Sequence, residues 1–250
     1  MTHILAIHAH PDDIETLAAG TLALLAQKGH RITIATMTAG EGGAIDTAPE
    51  ETARIRKREA AEAAKLIGAA YVCAGFGDLA LFNDDASRRR TVELIRSVRP
   101  ELVITAAPVD YHPDHEATSA LLRDALFAAP VPNYRTGSSP LLDTIPPLYF
   151  TDPIGGRDRD GKKVGFDFAV DIGSTIETKK AMLAAHASQV AWEIKQHGIS
   201  NFVAAMEAWA MKRGSAVGVA YAEGFRQYTG HPWPRAQVLQ ELVGDALRTA

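Results

Sequence analysis

Ile4-Leu5-Ala6-Ile7-His8-Ala9-His10-Pro11-Asp12-Asp13 is an apolar run of strand length that ends in a turn crowded with imidazole and carboxylate groups. Leu102-Val103-Ile104-Thr105-Ala106 repeats the run, and His112-Pro113-Asp114-His115 follows it. Continuous apolar runs of this kind are buried strands of a parallel sheet, covered on both faces. Between them the chain alternates. Helical spacing covers Glu15 to Lys28, with Gly29 as a C-cap, and a strand is expected over Ile32 to Met37. Thr38 to Glu50 is a glycine-rich loop. A helix over Glu51 to Ile67, a strand over Ala70 to Ala74 and a helix over Ser87 to Val98 follow. The strand Leu102 to Ala106 and a helix over Glu116 to Ala128 complete this half. Strand–helix alternation predicts an α/β fold, Rossmann-like, with a mainly parallel sheet flanked by helices.

The rest of the chain is less regular. Ala129 to Pro147 is proline-rich and reads as a lid loop over the strands' carboxyl ends. Strands are expected over Pro147 to Thr151 and Phe166 to Asp171. Helices are expected over Ser174 to His186, Ser200 to Arg213 and Arg235 to Arg248. No linker divides the chain, so residues 1–250 read as a single domain, with the core and both motifs in 1–128. The chain has 250 residues, 46% hydrophobic and 22% charged, enough for a sizeable core. Formal net charge is -4, which gives no electrostatic case for nucleic acid or an anionic membrane as partner. One cysteine, Cys73, excludes an internal disulfide framework and reads as a buried thiol. Neither a signal peptide nor a membrane span is visible, which makes the cytoplasm the expected location.

In an open α/β sheet of order 3-2-1-4, strands one and four are neighbours at the point where strand order reverses, and ligands bind beyond their carboxyl ends. The two motifs would then face one crevice. The turn after the first strand has no Gly-x-Gly-x-x-Gly, and its carboxylates would repel a pyrophosphate, so a nucleotide-binding oxidoreductase is disfavoured. Imidazole and carboxylate together suit zinc, and a catalytic site takes three protein ligands with one position left for water. Neighbouring side chains on a tight turn cannot both point at one ion, so Asp12 and Asp13 should differ in role. Asp12 suits a general base, or else an N-cap for the helix starting near Ile14.

The paired motifs resemble the PIG-L/LmbE family of zinc-dependent de-N-acetylases. The likeness extends to Thr38-Ala39-Gly40-Glu41-Gly42-Gly43, to Arg54 through Glu59, to His186-Ala187-Ser188-Gln189 and to Tyr221-Ala222-Glu223-Gly224-Phe225-Arg226. The resemblance implies one zinc ion per chain on His10, Asp13 and His115, with Asp12 as general base. It gives His112 oxyanion stabilisation as an imidazolium, and Asp114 then orients His112 or a metal ligand. Asp78 aligns with an aspartate that binds sugar hydroxyls, and Gly42 and Gly43 would bring backbone N–H groups to substrate. A member of this family acts on a small N-acetyl amino sugar derivative, releasing acetate and an amine, and is often a homo-oligomer, including hexamers. Where some members carry a tyrosine two residues before the second motif, this chain has Asp110, with Tyr111 one position later.

Other readings stand beside these. His112 can be a fourth ligand or a helix-start residue. One of Arg54, Arg56 and Arg58 can reach the site. Trp192, Trp209 and Trp233 are core residues or sugar-stacking faces. His3, His30 and His197 have no assigned partner. Hydrolysis of another amide or an ester would use the same groups, and a non-catalytic carbohydrate-binding protein could keep the fold.

Overall fold

The computed structural model describes residues 1–198 and 201–249. The expected helix start at Ser200 and the chain end at Ala250 lie outside the described residues. The first half runs β1 (His3–His8), α1 (Asp13–Leu17), α2 (Ala19–Gln27), β2 (Arg31–Thr38), α3 (Pro49–Lys65), β3 (Ala70–Phe76), α4 (Asp85–Val98), β4 (Leu102–Thr105) and α5 (Pro113–Ala128). The second half adds β5 (Leu148–Thr151), β6 (Phe168–Asp171), α6 (Ile176–Ala184), α7 (Val190–His197), α8 (Phe202–Ala216), β7 (Ala222–Gln227), α9 (Val238–Val243) and β8 (Leu247–Thr249). The strands form one sheet in the order β3-β2-β1-β4-β5-β7-β6-β8. The first five are parallel, and β7, β6 and β8 close the sheet with antiparallel pairs.

β1 pairs in parallel with β4 from Ile4↔Leu102 to Ile7↔Thr105, so the two motifs leave adjacent strand ends on the same edge. Alternation within β1 feeds two cores. Ile4 and Ala6 pack on one face with Leu22, Ile34, Ile104 and Phe225. Leu5 and Ile7 pack on the other with Met37, Val92, Val103 and Leu121.

The expected helix from Glu15 to Lys28 is two helices broken at Ala18 (φ -141, ψ -2). The reason lies far away in sequence. Glu223 accepts from Gly20 N (2.9 Å) and Thr21 N (2.8 Å), satisfying N–H groups that the first turn of α2 leaves free. Lys179 Nζ pairs with the same carboxylate at 2.5 Å, and both side chains are buried. Glu223 sits on β7, which its polar sequence Ala222-Glu-Gly-Phe-Arg-Gln227 hides from an apolar-run reading. The expected terminal helix from Arg235 to Arg248 stops at Val243. Gly244 turns the chain at positive φ (59°), and Leu247–Thr249 adds an edge strand to β6. Cys73 is half-buried in β3 rather than buried.

The expected lid over Ala129 to Pro147 lies at the other end of the sheet. It leaves the carboxyl end of α5 and returns to the amino ends of β4 and β5, where Val103 N donates to Pro147 O. α4 holds it along its length. Glu93 accepts from Thr136 Oγ1, Gly137 N and Ser139 N, Arg96 donates to Ala129 O, and Arg99 donates to Leu141 O. Prolines rigidify a connection here, not a substrate wall.

Removing one partner of a buried ion pair costs about 3–5 kcal/mol, because the other charge stays behind. Glu223→Ala should lower unfolding stability by that order in a urea titration. A loss under about 1 kcal/mol would mean that solvent already screens the pair.

Candidate metal centre

The turn after β1 is organised by the buried Asp13 carboxylate. Its Oδ2 accepts from His10 N at 2.7 Å and lies 2.7 Å from His8 Nδ1. Asp12 precedes it in the left-handed region (φ 97, ψ -23), a conformation unusual for a residue other than glycine. The Asp12 side chain makes no cap bond to α1. Its Oδ2 instead lies 3.1 Å from an Arg56 guanidinium nitrogen that also donates to Pro11 O. Arg56 is thus the arginine that reaches the site, while Arg54 is exposed and pairs with Glu51. A second Arg56 nitrogen donates to Gly40 O at 2.8 Å. A Cβ on Gly40 would stand 2.2 Å from that nitrogen, and one on Gly43 would stand 2.6 Å away. The glycines of the 40–43 loop therefore make room for Arg56.

The second motif starts α5. His112 is its N-cap, with Nδ1 accepting from Asp114 N at 3.2 Å. The helix-start reading thus belongs to His112 and not to Asp12. An Nδ1 that accepts leaves the ring proton on Nε2. His115, one turn in, is buried, and its Nδ1 lies 3.2 Å from Asp110 Oδ2.

The motifs meet. His115 Nε2 is 3.3 Å from His10 Nδ1 and 3.3 Å from Asp13 Oδ1, and His10 Nδ1 is 3.4 Å from Asp13 Oδ2. Tetrahedral bonds of about 2.0–2.1 Å have edges of about 3.3–3.4 Å, and the two imidazoles stand at that spacing from each other and each from one oxygen of Asp13, which fits a zinc-sized ion. His8 Nδ1 lies at hydrogen-bond distance, 2.7 Å, from Asp13 Oδ2, and His8, Asp13 and His115 also offer donor atoms within 4.8 Å of one another. The His112 ring centroid lies 4.7 Å from that of His10 and 4.8 Å from that of His115, beside the set.

Asp78 and Asp114 stand behind His10. Its Nε2 is 3.1 Å from Asp78 Oδ1 and 3.5 Å from Asp114 Oδ2. Asp78 Oδ2 accepts from Gly42 N, Asp114 Oδ2 accepts from Leu79 N, and Gly43 N donates to Gly40 O. The expected substrate contacts of Asp78, Gly42 and Gly43 are therefore taken by the protein itself. Asp78 and Asp114 hold the His10 ring from behind, the arrangement that carboxylates take behind histidines able to ligate a metal.

Charge follows this wiring. Burial would lower the pKa of His10, yet Asp114, Asp13 and Asp78 hold it well above the usual value. Burial acts the same way on His115, and Asp13 and Asp110 raise it to about 9. Burial would raise the Asp13 carboxyl, but His115 and His8 hold it well below the usual range. A field that favours extra positive charge on two imidazoles also favours a divalent cation between them. Asp12 differs from its neighbour, since burial pushes it up to about 6 against the pull of Arg56. Burial, His10 and His115 lower His112 to about 4. It is a neutral imidazole near neutral pH, not the imidazolium expected from the sequence.

Several site residues escaped the sequence reading. His8 was hidden in an apolar run, although an imidazole there was a visible signal. Asp110 was noted only as standing in a tyrosine's place. The Tyr111 ring nevertheless lies 5.6 Å from His112 and 5.8 Å from His115. Helix α7, absent from the sequence reading, brings the His197 ring to 6.1 Å from Tyr111. Gln189 donates to Gly43 O and Ser188 to Glu59, so the segment after His186 buttresses the glycine loop and α3. Trp192 lines a cavity of about 230 Å³ with Ile45, Ile55, Gly43 and Gln189. Trp233 is core, and Trp209 packs under Arg213 and against Gly156.

His10→Ala, Asp13→Ala and His115→Ala should each abolish stoichiometric zinc binding in a metal titration. Asp78→Asn should weaken zinc affinity about 10–100-fold by loosening His10. Unchanged zinc affinity with a raised KM would return Asp78 to substrate contact.

The profile of the PIG-L family, described as GlcNAc-PI de-N-acetylase, matches residues 5–126 and so spans both motifs. The diacetylchitobiose deacetylase of Thermococcus kodakarensis is 28% identical over 94% of this chain and 88% of its own length. The 4-oxalmesaconate hydratase of Pseudomonas putida is 26% identical over 89% of this chain and 87% of its own. The conserved protein TT1542 from Thermus thermophilus superposes with a TM-score of 0.75 at 30% identity, over 94% of this chain and all of that one. With both motifs matched and one fold shared along nearly its whole length, the chain belongs to the PIG-L family.

Proposed function

We propose that this protein is a zinc-dependent hydrolase that removes the acetyl group from an N-acetylated amino sugar derivative. The observation that carries the reading is the spacing of His10, Asp13 and His115: His115 Nε2 lies 3.3 Å from His10 Nδ1 and from Asp13 Oδ1, and Asp13 Oδ2 lies 3.4 Å from His10 Nδ1, with the raised carboxyl of Asp12 next to Asp13 in the chain. His10, Asp13 and His115 would hold the ion. Bound there, zinc supplies Lewis-acid activation of the water and the acetyl carbonyl. Asp12 takes a proton from the attacking water, and its raised pKa suits that transfer near neutral pH. Once protonated, Asp12 holds the proton that the leaving amine needs. His112 is neutral and carries its proton on Nε2, so it serves as a hydrogen-bond donor to the developing oxyanion. Water and amide become acetate and amine.

Acetate release on N-acetyl sugars tests the reading, and separates hydrolysis from the hydration named for one relative. Asp12→Ala should lower kcat about 10²–10⁴-fold with zinc retained. Equal loss of zinc and activity would make Asp12 structural. Asp12 must be ionised to act, and its folded pKa is raised, so kcat/KM should fall as pH drops through about 6. Arg56 pulls that value down, so Arg56→Gln should move the acid limb to higher pH. An unmoved limb would assign it to another group.

The proposal includes a cytoplasmic homo-oligomer. Phe127 and Val131, exposed on the surface of α5 and beyond its end, support a face covered by another copy. Among the described residues no helix is long and apolar enough to cross a membrane. Light scattering should give a mass above that of one chain, and a monomeric mass would overturn the assembly.

A further inference from the structure

Helix α7 stands over the metal centre. Its His197 reaches the Tyr111 ring, which in turn covers His115. Glu193 lies four residues before His197, on the same helical face. It is half-buried and has no hydrogen-bond or ion-pair partner among the described residues. Burial pushes its carboxyl up, Arg56 pulls it down and Asp13 pushes it up again, which places it within reach of Arg56 and of the first motif's charge.

The charges it joins are mostly of its own sign. Asp13 belongs to the donor set, and Asp12, Asp78, Asp110 and Asp114 stand around it. Arg56 is the cation in contact with them, and its two terminal nitrogens donate to Asp12, Pro11 O and Gly40 O, while its Nε is buried without a partner among the described residues. Arg159 at the rim is paired with Glu116. A divalent ion leaves this set net negative, so a substrate approaching over Glu193 meets a repulsive field if it carries an anion.

Resting on the deacetylase reading, we infer that Glu193 is a specificity-determining residue, selecting acetylated sugars whose remainder is uncharged or cationic and rejecting anionic ones. An unpartnered carboxylate accepts hydrogen bonds from sugar hydroxyls or pairs with an ammonium group. Against a phosphate or carboxylate it is an unpaired like charge, which is how a site discriminates by repulsion. Tyr111 adds a neutral phenol at the same mouth, because burial and the surrounding carboxylates, Asp13 first, keep its proton on.

The test compares the zinc-loaded protein with Glu193→Lys and Glu193→Gln on diacetylchitobiose and N-acetylglucosamine 6-phosphate. No residue of α7 is buried, so these changes leave the fold intact, and zinc per chain is measured for each. The wild-type protein should favour the neutral substrate in kcat/KM by about tenfold or more. Glu193→Lys should shift that ratio toward the phosphorylated substrate by about tenfold or more, with zinc content unchanged and Glu193→Gln in between. A ratio that Glu193→Lys leaves unmoved overturns the proposal. Absence of acetate release from either substrate is a different failure, that of the deacetylase reading. Calorimetric affinities for glucosamine and glucose 6-phosphate, which carry no acetyl group, then decide the charge selection. Preference for glucosamine that reverses in Glu193→Lys supports it, and equal affinities in both proteins sink it.

Discussion

A carboxylate taken out of water must be compensated, and in this protein Asp13 imposes that requirement on everything around it. One of its oxygens is held by the His10 amide and the His8 ring, and the other faces His115. These partners come from the carboxyl ends of both β1 and β4, so the parallel register is as much a part of the site as the side chains are. A second ring of carboxylates backs the first, with Asp78 and Asp114 behind His10 and Asp110 behind His115. Such backing fixes imidazole orientation and raises ligand basicity.

The half of the fold that carries the motifs was legible because parallel strands buried on both faces read as uninterrupted apolar runs. The meeting of the two motifs was legible from strand order, since β1 and β4 are neighbours and His10 and His115 come together beyond them. What was not legible depended on long-range contacts. Nothing near Ala18 announces a helix break made by Glu223, and nothing in the polar run of β7 announces a strand. The proline-rich loop shows a different limit. Its composition reads as a stiff lid, but which end of the sheet it crosses is set by the direction of α5, and that direction puts it at the amino ends. Asp78 shows a third, since a turn aspartate looks the same in sequence whether it faces sugar or histidine.

The antiparallel end of the sheet is more than an appendage. Through Glu223 it caps α2, and through Lys179 of α6 it reaches Thr16 O at the end of α1, the helix that Asp13 begins. The metal side of the molecule is thereby tied to the last third of the chain by a buried charge pair rather than by apolar contact alone.

The left-handed backbone at Asp12 has an evolutionary corollary. Holding a residue with a Cβ there costs about 1–2 kcal/mol, and glycine or asparagine costs less. The proposed role of Asp12 as general base would be the reason for a carboxylate at that point. In a duplicated copy released from catalysis, drift would have a downhill direction, because relaxing position 12 would stabilise the fold while silencing it. Such a copy would keep His10, Asp13, His115 and the sheet, and a glycine or asparagine after Pro11 would be the first mark of its retirement.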